Sequence, residues 1–219
     1  MSSRSQFQED LGSLRHGVDW LGALAEDAVR AATVALLEGD RTKAEVVENG
    51  DDELDALFLQ LEESAYSLIA RQAPVAVDLR FLVSALRVTA DFERMGDLAV
   101  SIAKLALAAW RPEPISASLL SKMAESALDL ISAARLAWRN QDLALAAKLE
   151  GRDDELDSCY RRLAAHLVVQ HGPDAGGLVF HALLAGRHLE RIADHAVAVG
   201  DRVAYMVTGD PKSLAAEIR

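Results

Sequence analysis

The sequence predicts an all-α protein built as two tandem three-helix bundles, six long helices related by an internal repeat. Three observations carry this. Alanine, leucine and valine dominate, aromatic residues make up only 5% of the 219, and glycine (13) and proline (5) are sparse; strands draw more on β-branched and aromatic side chains. Apolar residues recur at helical spacing between a few Pro/Gly breaks. Two landmarks occur twice: "GDDELD" (50–55) returns as "RDDELD" (152–157), and "FERMGDLAV" (92–100) as "LERIADHAV" (189–197).

Each helix follows from its own stretch of sequence. Residues 8–38 carry Leu11, Leu14, Val18, Leu21, Leu24 and Ala28 on one stripe and stop at "EGD" (38–40). A second helix is expected from about Thr42 to Arg71, broken by "APV" (73–75), and a third from about Val77 to Trp110. "RPEPIS" (111–116) holds two prolines in three positions, which no helix continues through, so it reads as the linker between a first bundle (1–110) and a second (117–219). The second bundle should contain helices over about 117–140, 142–170 and 176–208, with "HGPDAGG" (171–177) separating the last two. "TGDPKS" (208–213) predicts the end of the ordered chain and a frayed tail. A helix of about 35 residues spans roughly 50 Å.

Composition excludes several functions. The formal charge is −11 and the pI near 5, so nucleic acid and anionic lipid surfaces are poor partners. A single cysteine, Cys159, allows no intramolecular disulfide and reads as a packed small hydrophobe. The start "MSSRSQFQEDL" lacks a signal-peptide core, and the greasiest run (98–110) is broken by Ser101 and Lys104. The expectation is a cytoplasmic protein with no transmembrane segment.

The chemistry-bearing feature is a set of paired acids. Glu93 and Asp97 lie four residues apart on one helical face, on the stripe that also holds Leu79, Leu82, Ala90 and Val100. Asp51 and Asp55 make a similar pair on the preceding helix, beside Val47, Phe58, Ala65 and Ile69. Helices joined by a short turn pack antiparallel, and the midpoint between the two pairs falls on Pro74, so the hairpin sets them level. In the second half Asp153/Asp157 and Glu190/Asp194 are centred on the Pro173–Asp174 break.

Four carboxylates at one level repel, by about 4 kcal/mol per pair at 4 Å with an effective dielectric of 20. Raised pKa values, basic side chains or a bound cation would each relieve this. Arg94 and Arg191 follow their glutamates directly and should point about 100° away, whereas Arg187 is better aimed. The match of register in both halves favours a cation, because hard ions take carboxylate oxygens from facing helices. Oxygen ligands admit Mg²⁺, Mn²⁺ and iron, and zinc less readily. A di-iron oxidase would need Glu-x-x-His, which is missing, and the histidines His166, His171, His181, His188 and His195 read as ordinary core or surface residues. There is no phosphate loop, nucleophile–base pair or Cys-x-x-Cys, so no catalytic apparatus is visible.

The segment "RQAPVAVDLRFLVSALRVTADFERMGDLAVSIAKLA" (71–106) resembles the PhoU family of bacterial phosphate-signalling proteins. Gln72, Pro74 to Arg80 (with Ala73 inserted) and Phe92 to Asp97 carry the likeness, which "LERIADHA" (189–196) repeats and which extends over about 10–208. The resemblance implies the doubled bundle and a non-enzymatic regulator. Such a regulator links a Pst-type phosphate ABC transporter, through its ATPase subunit, to a PhoR-type sensor histidine kinase and represses the phosphate-starvation response. It also implies metal at Asp51, Asp55, Glu93, Asp97, Asp153, Asp157, Glu190 and Asp194, with iron or zinc first and manganese or magnesium next. "PDAGGLVF" (173–180) does not repeat Asp78-Leu79-Arg80, so any role of Asp78 and Arg80 stays with the first bundle. Asp78 is expected to start the third helix and Arg80 to meet a neighbouring acid. Ala-rich faces on the first and fourth helices suit a homodimer. Two other readings stand beside this one: a carboxylate-bridged metalloenzyme, and a metal-free helical scaffold whose acids are solvated.

Overall fold

The structure, a computed structural model, describes residues 3–108, 110–169 and 175–218. The first bundle is α1 (Ser3–Glu38), α2 (Arg41–Gln72) and α3 (Ala76–Leu107). The second is α4 (Pro114–Asn140), a single turn α5 (Leu143–Ala146), α6 (Leu149–Val168) and α7 (Ala175–Thr208). The tandem bundles stand as the sequence indicates. His171 and the break at 170–174 lie outside the described residues.

Local chemistry sets the boundaries. Asp40 caps α2, accepting from the Lys43 N–H, and Ala73 closes it in the left-handed region (φ 44°) with its N–H donating to the Ile69 carbonyl. Three residues, Ala73 to Val75, therefore turn α2 back antiparallel into α3. Pro114 is not part of the linker. It opens α4, where a missing N–H costs nothing, and Glu113 is the cap, accepting from the N–H groups of Ile115 and Ser116.

Two expectations are corrected. The fifth helix is interrupted at Ala147 and Lys148, whose backbones stay near helical values while the Lys148 N–H shortens its bond to the Leu145 carbonyl. Neither residue is a breaker, so the interruption has no mark in residue type. The tail is not frayed: Pro211–Ile218 forms a 3₁₀ helix against α7. Thr208 Oγ1 accepts from the Asp210 N–H, and Asp210 Oδ1 from the Lys212 N–H, which turns the chain back.

The two bundles share one core. Helix α3 packs on α7 and α1 on α4, so each half buries residues against the other. Ala25 and Ala32 of α1, and Ala127 and Ala134 of α4, are fully buried within the chain. These alanines of the faces offered for a homodimer are thus packed within the chain itself. Gly22 is where α1 comes closest: a methyl there would meet the ring of the fully buried Phe92 (2.8 Å) and the Arg135 side chain (2.9 Å). Arg135 of α4 reaches Glu26 (2.7 Å) and Asp19 (3.3 Å) of α1, and Trp138 Nε1 donates to the Arg15 carbonyl. Among the described residues no helix is long and apolar enough to cross a membrane.

Candidate metal centre

The α2–α3 hairpin brings Asp51, Asp55, Glu93 and Asp97 into mutual influence. Leu54, buried between the two acids of α2, packs where Gly96 leaves space on α3; a Cβ at Gly96 would lie 2.7 Å from the leucine methyl. That contact holds the acids of α2 opposite those of α3. Burial raises the Asp51 pKa first, and the charges of Asp55 and Asp97 raise it further. Glu93 is raised by burial and Asp97, against the pull of Arg94, with smaller pushes from Asp55 and Asp51.

The second cluster is more strongly frustrated. Asp153 is pushed up to about 7, first by burial and then by the charges of Asp194, Asp157, Asp154 and Glu190. Its Oδ1 is buried with no hydrogen-bond partner among the described residues. Asp194, although the residue keeps a solvent-open edge, is raised by desolvation and by Glu190, opposed by Arg187. Here Ala193 replaces Gly96, and Leu156 is still fully buried.

All eight predicted residues therefore fall into two clusters of four, yet neither cluster is a closed ligand set. Among the described residues no three acidic, histidine or cysteine side chains stand together as a ready metal cage. Arginines hold part of the space. Arg187 pairs with Glu190, as its position suggests. Arg94 is a correction: its long side chain swings back, Nη1 donating to Asp97 Oδ2 at 2.8 Å with Nε 3.5 Å from Glu93. Helical phase fixes where Cβ points but not where a five-atom arm ends.

Each cluster also faces the opposite bundle. His188 and Arg191 of α7 share a cleft of about 310 Å³ with Asp51 and Asp97. Arg87 and Asp91 of α3 share one of about 720 Å³ with Asp153, Glu190 and Asp194. Asp91 and His188 hold equivalent places, just ahead of the repeated Phe92 and Leu189. The repeat itself was the signal for this, because equivalent third helices that pack together must each present equivalent residues to the other's site. His195 Nδ1 lies 3.0 Å from Asp91 Oδ1, tying α7 to α3. His188 is held below the usual histidine range by burial and by Arg191. His166 instead meets Glu113 at 2.8 Å, and His181 stacks on Trp110. Cys159 packs partly buried against the core. Asp78 does start α3, but among the described residues Arg80 meets no acid: its Nε–H donates to the Met206 carbonyl at the end of α7 (3.4 Å).

The donor set fits a hard cation by its chemistry: oxygen atoms only, mutually repelling, with a buried carboxylate oxygen left unpartnered. A duplicated helical unit with an acid hairpin in each copy defines a tandem-repeat α protein. The family model described as the PhoU domain matches that unit twice, over residues 18–106 and 120–203, and the chain belongs to the PhoU family. It is 39% identical over 213 residues to the phosphate-specific transport system accessory protein PhoU homolog 1 of Mycobacterium tuberculosis, covering 94% of this chain and 95% of that one. The Caulobacter vibrioides PhoU homolog is 32% identical over 208 residues, 93% of this chain and 90% of that one. Among solved structures, PhoU from Pseudomonas aeruginosa superposes with a TM-score of 0.88 at 29% identity, covering 93% of this chain and all of that one. The phosphate transport system regulatory protein PhoU from Streptococcus pneumoniae gives 0.85 at 26% identity, covering 93% and 98%.

Proposed function

We propose that this protein is a cytoplasmic, non-enzymatic accessory regulator of a phosphate-specific transport system, coupling the transporter's ATPase subunit to a sensor histidine kinase and restraining the phosphate-starvation response. The observation that carries the reading is the likeness along nearly the whole chain to relatives named as accessory proteins of such systems. The acid clusters support a metal-dependent form of it. Asp51, Asp55, Glu93 and Asp97 would hold cation in one bundle, and Asp153, Asp157, Glu190 and Asp194 in the other, with iron or zinc the first candidates. A bound cation supplies the positive charge that lets four carboxylates stay ionised at one level.

The chain's own residues then do the rest. Arg94 and Arg187, which pair with Asp97 and Glu190, would be freed by such a cation to place positive charge beside each cluster. His188 and Arg191 carry any change at the first cluster to α7, and Asp91 with His195 joins α3 to the second. Metal loading thus bears on the α3–α7 seam and on the surface offered to partners.

The test is genetic. A strain lacking the protein should express phosphate-starvation genes in phosphate-rich medium, and the wild-type chain should restore repression. A variant with Asp51, Glu93, Asp153 and Glu190 changed to amides should fail to restore it while still folding, as judged by circular dichroism. Normal repression in the deletion strain would overturn the regulatory reading. Full rescue by the amide variant would remove the metal from it.

A further inference from the structure

At the end of the molecule away from both acid clusters, α1, α3, α4 and α7 converge around a cavity of about 380 Å³, lined by Arg15, Asp78, Gln8, Gln141 and the apolar Phe81 and Val207 among others. Small-molecule sites commonly occupy this size range. The charged group on its wall is unusual for this chain. With 34 acidic residues against 23 basic ones, an arginine should find a carboxylate easily. Arg15 makes no ion pair among the described residues, and its pKa is lowered by burial with no acid to offset it. Its Nε is buried and donates to nothing among the described residues.

The guanidinium is also held in place. It lies over the Phe81 ring, 5.0 Å from the centroid, and Phe81 stacks on the fully buried Trp138 at 5.6 Å. Trp138 in turn donates to the Arg15 carbonyl at 3.2 Å. A preset, half-desolvated guanidinium with free donor capacity is the chemistry of an oxyanion receptor. Among the described residues Asp78 is the one carboxylate on the wall, and Gln8 and Gln141 bring carboxamides, which suit hydroxyl groups elsewhere on the ligand.

We infer that this four-helix junction is a binding site for a small oxyanion, a phosphoryl or carboxylate group seated on Arg15, in a molecule whose hydroxyls meet Asp78 and the two glutamines. The inference stands apart from the metal reading, since the cavity shares no residue with either acid cluster.

The experiment is isothermal titration calorimetry on the full, chelator-treated chain with three probes: inorganic phosphate, glycerol 3-phosphate and citrate. Saturable binding of at least one is expected, and the preferred probe tells a free ion from an organic phosphate or a carboxylate. Arg15→Gln should weaken it by about tenfold or more, the scale of a lost charge-assisted hydrogen bond. Asp78→Asn, which removes a like charge at an accessible position, should tighten binding of inorganic phosphate or citrate about threefold. Asp51→Asn combined with Asp153→Asn should leave it unchanged. Absence of binding by all three probes overturns the proposal, and so does binding that the acid-cluster variant abolishes. If Arg15→Gln folds, binding it leaves untouched does the same. If Arg15→Gln does not fold, the Asp78→Asn response decides: tighter binding of inorganic phosphate or citrate, or weaker binding of glycerol 3-phosphate where that is the probe bound, supports the site, and unchanged binding overturns it.

Discussion

Arg94 Nη1 donates to Asp97 Oδ2 at 2.8 Å, so the first acid cluster carries its own counter-ion on the same helix. Arg187 does the same for Glu190 in the second. An internal guanidinium and an external cation compete for one negative charge. Arg94→Ala and Arg187→Ala should therefore raise metal affinity about fivefold at their own clusters, by removing a competitor of roughly 1 kcal/mol. Competition against a chelating dye measures this. A loss of affinity in either variant would mean that the arginine positions its carboxylate for metal and does not compete with it.

Asp153 sets a pH dependence for the metal-free protein. Its folded pKa, about 7, lies above the ordinary 3.8, so the folded chain keeps a proton that the unfolded chain has lost. The associated stability is complete below about pH 4 and declines as pH rises through 7. The full shift would correspond to about 4 kcal/mol, but water reaches this half-buried group and screening reduces the effect to the order of 1 kcal/mol. Asp153→Asn should thus be the more stable protein at pH 8 without metal, and the two should converge at pH 4. Urea unfolding at both pH values decides it, and an equal difference at both would assign the effect to packing. Added metal should stabilise the wild type more than the variant.

The sequence made the hairpin legible because a three-residue turn leaves little freedom: once α2 and α3 are helices, their pairing register follows from Pro74. The repeat then carried the same conclusion to the second bundle. What stayed hidden was the seam between bundles. The Asp91–His195 pair and the Arg135 contacts to Asp19 and Glu26 depend on how two finished bundles dock. No periodicity within one helix encodes that. The interruption at Ala147–Lys148 was hidden for another reason, since both residues are good helix formers held near helical angles.

Gly22 tests the seam directly. Alanine there gains up to about 1 kcal/mol of helix propensity but drives a methyl into the Phe92 ring, which is fully buried and cannot swing aside. Arg135, the other neighbour, is held by Glu26 and Asp19. Overpacking of this kind costs about 1–3 kcal/mol, so Gly22→Ala should destabilise by about 1–2 kcal/mol net. Gly12→Ala on the same helix meets nothing within 4 Å and should stabilise by about 0.5–1 kcal/mol. Thermal unfolding of the pair separates the two effects. A stabilised Gly22→Ala protein would show that α1 and α3 can move apart at no cost.

Glu113 ties the linker to the start of α4 and to the last turn of α6. Burial of its carboxyl works against ionisation, but the Ser116 and Ile115 N–H groups and His166 outweigh it and hold the pKa at about 2. A carboxylate depressed from 4.5 contributes stability that is complete above about pH 4.5 and lost as pH falls through 2. Helix caps of this kind contribute about 0.5–2 kcal/mol. Glu113→Ala should therefore cost about 1–2 kcal/mol at pH 7, leaving the first N–H groups of α4 to water and removing the contact to His166. The gap between variant and wild type should narrow steadily from pH 4.5 downward, because the unfolded chain takes up a proton that the folded carboxylate refuses until about pH 2. Urea titrations at pH 7, 4 and 3 follow it. A gap that stays constant over that range would place the contribution of Glu113 in its methylene packing and not in its charge.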